Sequence, residues 1–517
     1  FDLLVIGGGI TGAGIARDAA LRGLSVALLE ARDFSAGTSN RSTKLIHGGL
    51  RYLAMGDFRL VREAALERKA VHAMAPHLAQ PRWMVLPATS WFELAKYRVG
   101  VALYERLGAV AAADRHRVWD AAELERSEPH LDRAAFPHAC VYREYLTDDA
   151  RLVLGTLRAA AGAGACVASR LPVEGLLREG RRLCGARARC ELTNEVVEVR
   201  ARTLVNAAGP WAEQVAGLEE HAGTSSRLHL SKGVHLVLPR TVLPLEHLLY
   251  LPMPDGRAVF AIPRGAVVYV GTTDTSYDGD RLLWPEIEAA DIDYLLEPVA
   301  RCFDLPPVGR EDVIGAWAGL RPLVAQPGKA ARQMSRRDEI WTGSGGMLTI
   351  AGGKLTGFRH MAEEVLDAVA GLTGRTLPPP PGPTSLPGGA FEGSAEDLAA
   401  ALPGTHNLAA GSAERLVGLY GDEARAVLEL GAEPLVDGGL VLRGEVDWAV
   451  TREAAHALED VVYRRTRAAW YTPAERRALL APAAARMAAL LGWSGAEQAR
   501  QIEAVRTRLD QELAFRG

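Results

Sequence analysis

The hydrophobic pattern opens with a short apolar run, Leu3–Ile6, inside DLLVIGGGITGAGIARDAALRGLSVALLE (2–30). The run predicts a strand that turns at glycines into a helix with Ile15, Ala16, Ala19 and Ala20 on its packing face. A second apolar strand, 26–29, ends at Glu30. The same order of strand, glycine and helix returns twice. In TLVNAAGPW (203–211) the strand ends at Ala207, Ala208 and Gly209, and Pro210 suits a first helical position. In MLTIAGGKLTGFRHMAEEVLDAV (347–369) Gly352 and Gly353 precede a helix with Met361, Val365 and Val369 at four-residue spacing. Apolar or alternating runs at 235–238, 258–262 and 267–270 predict further strands.

The stretch WFELAKYRVGVALYERL (91–107) reads as an amphipathic helix. Its apolar positions are Trp91, Phe92, Leu94, Ala95, Val99, Leu103, Tyr104 and Leu107, interleaved with Lys96, Arg98 and Arg106. That pattern suits a membrane surface, and it equally suits a helix packed on a core. A Pro/Gly linker, PPPPGPTSLPGG (378–389), precedes a tail rich in Ala, Leu, Glu and Arg with helical periodicity.

The chain has 517 residues, a prior of about three domains at roughly 150 residues each. It is 48% hydrophobic and 24% charged, ordinary for a folded globular protein. Its formal charge of −4 removes the basic signature of a nucleic-acid binder. Five cysteines without C-x-x-C spacing argue against a disulfide scaffold, a zinc site or an iron–sulfur relay, and fit a reducing compartment. No apolar run reaches about 18 residues, so no transmembrane helix is expected. No basic stretch followed by an apolar segment opens the chain, so no signal peptide is expected. The chain starts at Phe1 without a Met, and a few residues before it are expected to be missing.

Gly7, Gly9 and Gly12 fit G-x-G-x-x-G between a strand and a helix, with Glu30 at the end of the next strand. Gly7 allows the tight turn, Gly9 lets backbone approach a pyrophosphate, and Gly12 permits close helix–strand packing. The helix N-terminus offers free N–H groups, and Glu30 can accept hydrogen bonds from a ribose diol. Three such units suit a long cofactor lying across several strand ends of one sheet, which favours FAD over a nicotinamide dinucleotide.

The segment GTSNRSTKLIHGGLRYL (37–53) narrows the reading. Together with VNAAGPW, SKGVHLVLP (231–239), VGTTDT (270–275), AGLRPL (318–323), AGGKLTGFRHMAE (351–363) and LEDVVYRRTRAAW (458–470), it resembles the FAD-dependent glycerol-3-phosphate dehydrogenase family. The resemblance covers nearly the whole chain in the family's order. It implies oxidation of sn-glycerol 3-phosphate to dihydroxyacetone phosphate, carbon 2 giving a hydride to flavin N5, with electrons passed on to quinone. It also implies a peripheral position at the inner face of the cytoplasmic membrane; a homodimer is expected as well.

Three of the six lysines, Lys44, Lys232 and Lys354, fall inside these motifs. The expected cofactor contacts are Gly7, Gly9, Gly12, Glu30, Thr38, Ser39, Ser42, Thr43, Lys44, His47, Gly48, Ala208, Gly209, Trp211, Gly353, Lys354, Leu355 and Thr356. Arg51, Tyr52, Arg321, Arg336, Thr273 and Asp274 are the expected substrate contacts, and His235, Arg321 and Lys354 the expected catalytic groups. A phosphate dianion favours planar guanidinium donors and a point-charge lysine. A base needs a pKa near the working pH, which an ordinary histidine has. After GGKLT the family continues Thr-Tyr-Arg, whereas this chain has Gly357, Phe358 and Arg359. Three alternatives stand beside this reading: the related oxidase, which produces hydrogen peroxide; an amine or amino-acid oxidase of the same flavin superfamily; and a flavin-binding protein without turnover.

The fold class follows as α/β. A discontinuous Rossmann-like FAD-binding domain is expected at 1–75, 145–225 and 340–378, and an α+β substrate domain at 76–144 and 226–339. The linker is placed at 378–393, and a separate helical C-terminal domain at 394–517, assigned to scaffold or dimer contact.

Overall fold

The computed structural model describes residues 1–47, 58–219, 227–325, 338–402 and 408–516. Its first layer is a six-stranded sheet in the order Glu339–Thr342, Leu348–Ala351, Thr203–Asn206, Leu3–Ile6, Val26–Leu29, Cys166–Ala168. Five of these strands run parallel, and only Glu339–Thr342 runs against its neighbour. A parallel strand covered on both faces can be apolar at every position, and Leu3–Ile6 is buried throughout. Leu3 and Val5 face the helices Ile10–Leu21, Asp149–Gly162 and Phe358–Thr373. Leu4 and Ile6 face the small antiparallel sheet Val173–Glu179, Arg182–Arg189 and Val196–Arg200. Each such buried side chain contributes roughly 1.5–3 kcal/mol.

The first helix approaches its neighbours closely because its packing residues are small. A methyl added at Gly14 would lie 2.8 Å from the Phe358 ring. A methyl at Gly12 would lie 2.0 Å from the Gly7 carbonyl oxygen, so the helix reaches the strand only with glycine there.

The second sheet has ten strands, nearly all antiparallel. It carries the expected runs as Leu228–Pro239, Ala258–Arg264 and Val267–Gly271, and adds Gly315–Val324 beside Leu228–Pro239. Leu45–Ile46 and His138–Thr147 pair within this sheet. Leu45–Ile46 therefore belongs to the second layer, and residue 145 falls inside the strand His138–Thr147. One face of the sheet packs on the helix Ala289–Cys302 through Val234, Leu236 and Leu238.

The other face carries the C-terminal helices. Trp470, Val462, Leu480 and Met487 share one core with Val237, Tyr269 and Trp317 of the sheet. The tail is helical, as the periodicity predicts, but its second half has no core of its own. Only residues around 399–448 form a small separate cluster.

The C-terminal segment also enters the first layer through charge. Arg464 and Arg465 both donate to the Asp33 carboxylate, and Arg151 pairs with Glu453 at 2.6 Å. Arg467 donates to Asp149 at 3.0 Å and to Asn40 Oδ1. Every one of these arginines is at most 4% exposed.

Candidate active site

The carboxyl ends of Leu3–Ile6, Thr203–Asn206 and Leu348–Ala351 lie side by side in the six-stranded sheet. The three glycine-bearing turns after them therefore meet along one edge. They form one wall of a cavity of about 1260 Å³, larger than the roughly 300–1,000 Å³ of ordinary small-molecule sites. Gly7, with φ of +115°, makes the first turn, and a side chain there would strike the Ala207 carbonyl at 2.6 Å. Glu30 closes the far end, accepting from Gly8 N at 2.6 Å and Arg32 N at 2.8 Å. Burial pushes its carboxyl upward, against the lowering by those amides.

The opposite wall is the second sheet. On the strand Leu228–Pro239, Ser231, Gly233 and His235 point to one side. Their register partners are Arg321, Gly319 and Trp317. The paired glycines Gly233 and Gly319 leave a bare floor. A methyl on Gly233 would lie 2.3 Å from Arg321 Nη2, and one on Gly319 would lie 2.8 Å from Arg41 Cβ. The Arg321 guanidinium therefore lies flat across the strand. Its Nη2 donates to Thr272 Oγ1 at 2.9 Å, and its Nη1 to the Thr273 carbonyl and Asp274 Oδ1 at 3.2 Å each. Ser231 Oγ in turn donates to Asp274 at 2.5 Å.

The cavity is lined by Gly7, Gly9, Glu30, Thr38, Ser39, Ser42, Thr43, His47, Ala208, Gly209, Trp211, Gly353, Lys354, Leu355 and Thr356 of the expected cofactor contacts. Asp274 and Arg321 of the expected substrate contacts line it too. Gly48, Arg51, Tyr52 and Arg336 lie outside the described residues. Gly12 stands behind the turn, against Gly7.

Three more of the expected residues do not line the cavity. Lys44 is fully buried, with φ of +57°, and its ammonium turns away from the cavity onto the Asn40 carbonyl (2.8 Å) and both Asp149 oxygens (3.0 and 3.1 Å). Burial pulls its pKa down to about 7, against the raising effect of Asp149. Thr273 is buried, and its Oγ1 accepts from Val234 N at 2.9 Å instead of facing the cavity. His235 lies one layer back, stacked on Trp317 at 4.9 Å, with Nε2 3.0 Å from Thr43 Oγ1. Burial, with Lys44 and Arg321 nearby, holds the imidazole well below its ordinary pKa, so it is neutral. Its access to the cavity runs through the Thr43 hydroxyl, which does line the wall.

Sequence reasoning passed over Thr272, Leu283 and Arg41, all on the cavity wall. Thr272 and Asp274 alternate with Thr273, so an extended 272–274 places the outer two on one side. That signal was present in the sequence; nothing local pointed to Arg41 or Leu283.

The helix Trp91–Leu107 has the predicted bounds. Leu94, Val101 and Tyr104 are buried, and Tyr97, Gly100 and Leu103 line the cavity. Trp91, Phe92 and Val99 stand 67%, 83% and 70% exposed. Among the described residues no helix is long and apolar enough to cross a membrane, and no cluster of side chains is built to hold a metal ion.

Comparison with known proteins agrees with this geometry. Residues 2–359 match the family described as FAD dependent oxidoreductase, and 383–498 match the C-terminal domain of alpha-glycerophosphate oxidase. The chain is 42% identical over 374 residues to the aerobic glycerol-3-phosphate dehydrogenase of Staphylococcus aureus (strain USA300), covering 72% of this chain and 67% of that one. It is also 42% identical over 371 residues to the enzyme of the same name from Bacillus subtilis (strain 168), covering 71% and 66%. The chain thus spans about two thirds of the length of these relatives. The crystal structure of the glycerol-3-phosphate dehydrogenase from Bacillus halodurans complexed with FAD matches with a TM-score of 0.80 and 32% identity, covering 99% of this chain and 95% of that one. With a cofactor-length cleft, an arginine fixed on its far wall and these relatives, the chain belongs to the FAD-dependent glycerol-3-phosphate dehydrogenase family.

Proposed function

We propose that this protein binds FAD along the cleft, oxidises sn-glycerol 3-phosphate to dihydroxyacetone phosphate, and passes the electrons to quinone. The observation that carries the reading is the Arg321 guanidinium, fixed on the cavity wall by Thr272 and Asp274 over the glycine floor. When bound, FAD supplies a two-electron acceptor for the hydrogen on carbon 2. The turn at Gly7 and Gly9 and the following helix N-terminus suit its pyrophosphate, and Glu30 its ribose. Ser42, Thr43, Thr356 and Lys354 are the proposed contacts of the ring end.

Arg321 offers the substrate phosphate charge-assisted hydrogen bonds, each contributing about 1.5–3 kcal/mol. Lys354 is proposed as a second cation at the reacting end, and Arg51, Tyr52 and Arg336 as further substrate contacts. The carbon-2 hydroxyl proton passes to Thr43 Oγ1 as that hydroxyl gives its own to His235 Nε2. A neutral imidazole is the form able to accept it.

The exposed Trp91, Phe92 and Val99, beside Lys96 and Arg98, support contact with a membrane surface, where a quinone would be met. Cosedimentation with anionic vesicles, lost when Trp91 and Phe92 become serine, tests that contact.

Mixing the FAD-loaded protein with sn-glycerol 3-phosphate without oxygen tests the main reading. Rapid loss of the flavin's visible absorption band, absent with glycerol, is expected. A quinone analogue should restore the band. If air alone restores it as fast, with stoichiometric hydrogen peroxide, the oxidase reading replaces the quinone. Bleaching by amino acids but not by glycerol 3-phosphate would overturn the proposal.

A further inference from the structure

Residues 272–288 leave the cavity wall at Thr272 and Asp274, run outward, and return to the helix Ala289–Cys302. The two ends of this strap are hydrogen-bonded. Tyr277 N donates to the Leu230 carbonyl at 2.9 Å, and His229 Nε2 lies 3.1 Å from Ser276 Oγ. Lys232 Nζ donates to the Glu286 carbonyl at 3.2 Å. Among the described residues, no hydrogen bond joins 278–285 to anything outside the strap.

The tip is anchored instead by the Trp284 ring. The Arg41 guanidinium lies 3.9 Å from its centroid and that of Arg508 lies 4.2 Å away. Tyr463 meets it edge-on at 5.4 Å. Arg41 belongs to the cofactor loop, whereas Tyr463 and Arg508 belong to the C-terminal helical region. Trp284 packs with the core of those helices, while Ile287, three residues on, packs with the core on the opposite face of the sheet.

Arg41 is costly to keep in this position. It is 3% exposed, makes no ion pair among the described residues, and leaves its Nε and Nη2 without hydrogen-bond partners. A buried guanidinium without a carboxylate is unfavourable. Its Nη1 donates to the Ala36 carbonyl at 2.7 Å, and the face of the indole meets the rest of the group. Leu283, next to Trp284, lines the same cavity as Thr272, Asp274 and Arg321.

We propose that Trp284, held between Arg41 and Arg508, is a positioning residue for the substrate site. It fixes the strap whose root, Thr272 and Asp274, sets the plane of the Arg321 guanidinium. The C-terminal helices thereby act on substrate affinity without touching substrate. The proposal rests on the reading of Arg321 as the phosphate ligand.

The test uses the FAD-loaded full chain with a dye as electron acceptor. Trp284→Ala should raise KM for sn-glycerol 3-phosphate about 10-fold, with kcat and bound FAD little changed. Inorganic phosphate, used as a competitive inhibitor, should weaken in parallel. Trp284→Phe keeps an aromatic face and should restore most of the affinity. A folded, FAD-loaded Trp284→Ala enzyme with unchanged KM would overturn the proposal, and so would equal losses in kcat and cofactor content. If Trp284→Ala does not fold, Arg508→Met decides. It leaves the ring in place and removes one side of the clamp, so a rise in KM of about 3-fold is expected and no rise overturns the proposal. Arg321→Met separates the two layers of inference. An unchanged KM there refutes the phosphate reading itself, whereas a raised KM with a normal Trp284→Ala enzyme refutes only the strap.

Discussion

The cleft lining and the joint that fixes the C-terminal helices are built by opposite means. The cleft wall is backbone and absence: Gly7, Gly9, Gly233 and Gly319 are there for the atoms they lack. The joint is long side chains. Arg464 and Arg465 converge on Asp33, and Arg467 and Lys44 on Asp149. A cleft made by small residues stays open for a ligand and fails by being filled. A joint made by buried charges fails by losing one member, because the remaining charge has no water to replace its partner.

The largest expected effect follows for the joint. Asp33→Ala leaves two buried guanidinium groups without their shared carboxylate and should lower stability by about 3–5 kcal/mol. Denaturant unfolding checks this, and a loss below about 1 kcal/mol would show that the joint is not held by charge.

A titration sharpens the same side of the comparison. Glu512, buried beneath Trp470 Nε1, is pushed up to about 8 by burial, against hydrogen bonds and arginines that lower it. The folded state then keeps a proton that the unfolded chain has already lost between about pH 4.5 and 8. Stability should therefore fall as pH rises through that window, by up to about 5 kcal/mol in all. Glu512→Gln, measured by denaturant unfolding at pH 5 and pH 8, should remove the decline, and an identical slope in the variant would refute the assignment.

On the cleft side, Gly233→Ala adds a methyl 2.3 Å from Arg321 Nη2. Displacing that guanidinium should cost about 1–3 kcal/mol in substrate binding, seen as a KM raised roughly 10–100-fold with FAD content intact. Loss of FAD instead would mean that the floor belongs to the cofactor. The smallest effect is a missing one. His235 is held well below its ordinary pKa, so its protonation should leave no limb near pH 6.5 in kcat/KM. A limb there that vanishes in His235→Asn would overturn its buried, neutral state.

The contrast also explains what the sequence made legible. The three glycine turns carry their geometry in consecutive residues, so the strands, their order of use and the cofactor class could be read from it. The helix Trp91–Leu107 announced itself by periodicity, with Ser90 capping its start. The joint had no such signal. Asn40 and Arg467 are 427 residues apart, and in a chain with so many arginines nothing marks Arg464 or Arg467 as buried. Lys44 shows the limit inside a motif. Its neighbours fix where the backbone runs, but a left-handed φ turns the ammonium inward. Thr273 was chosen without the alternation that sets Thr272 and Asp274 on one side and Thr273 on the other. His235 lies on the face that fronts the cleft, but the step behind Thr43 exists only once two sheets meet.

The bond between Asn40 and Arg467 sets an order in time. A ribosome adds about 5–20 residues per second, so the 427 residues between them take roughly 20–90 s to emerge. Until they do, Asp149 and the loop beside it lack their last cation. The nascent chain therefore makes its first two glycine turns long before this buried joint can close.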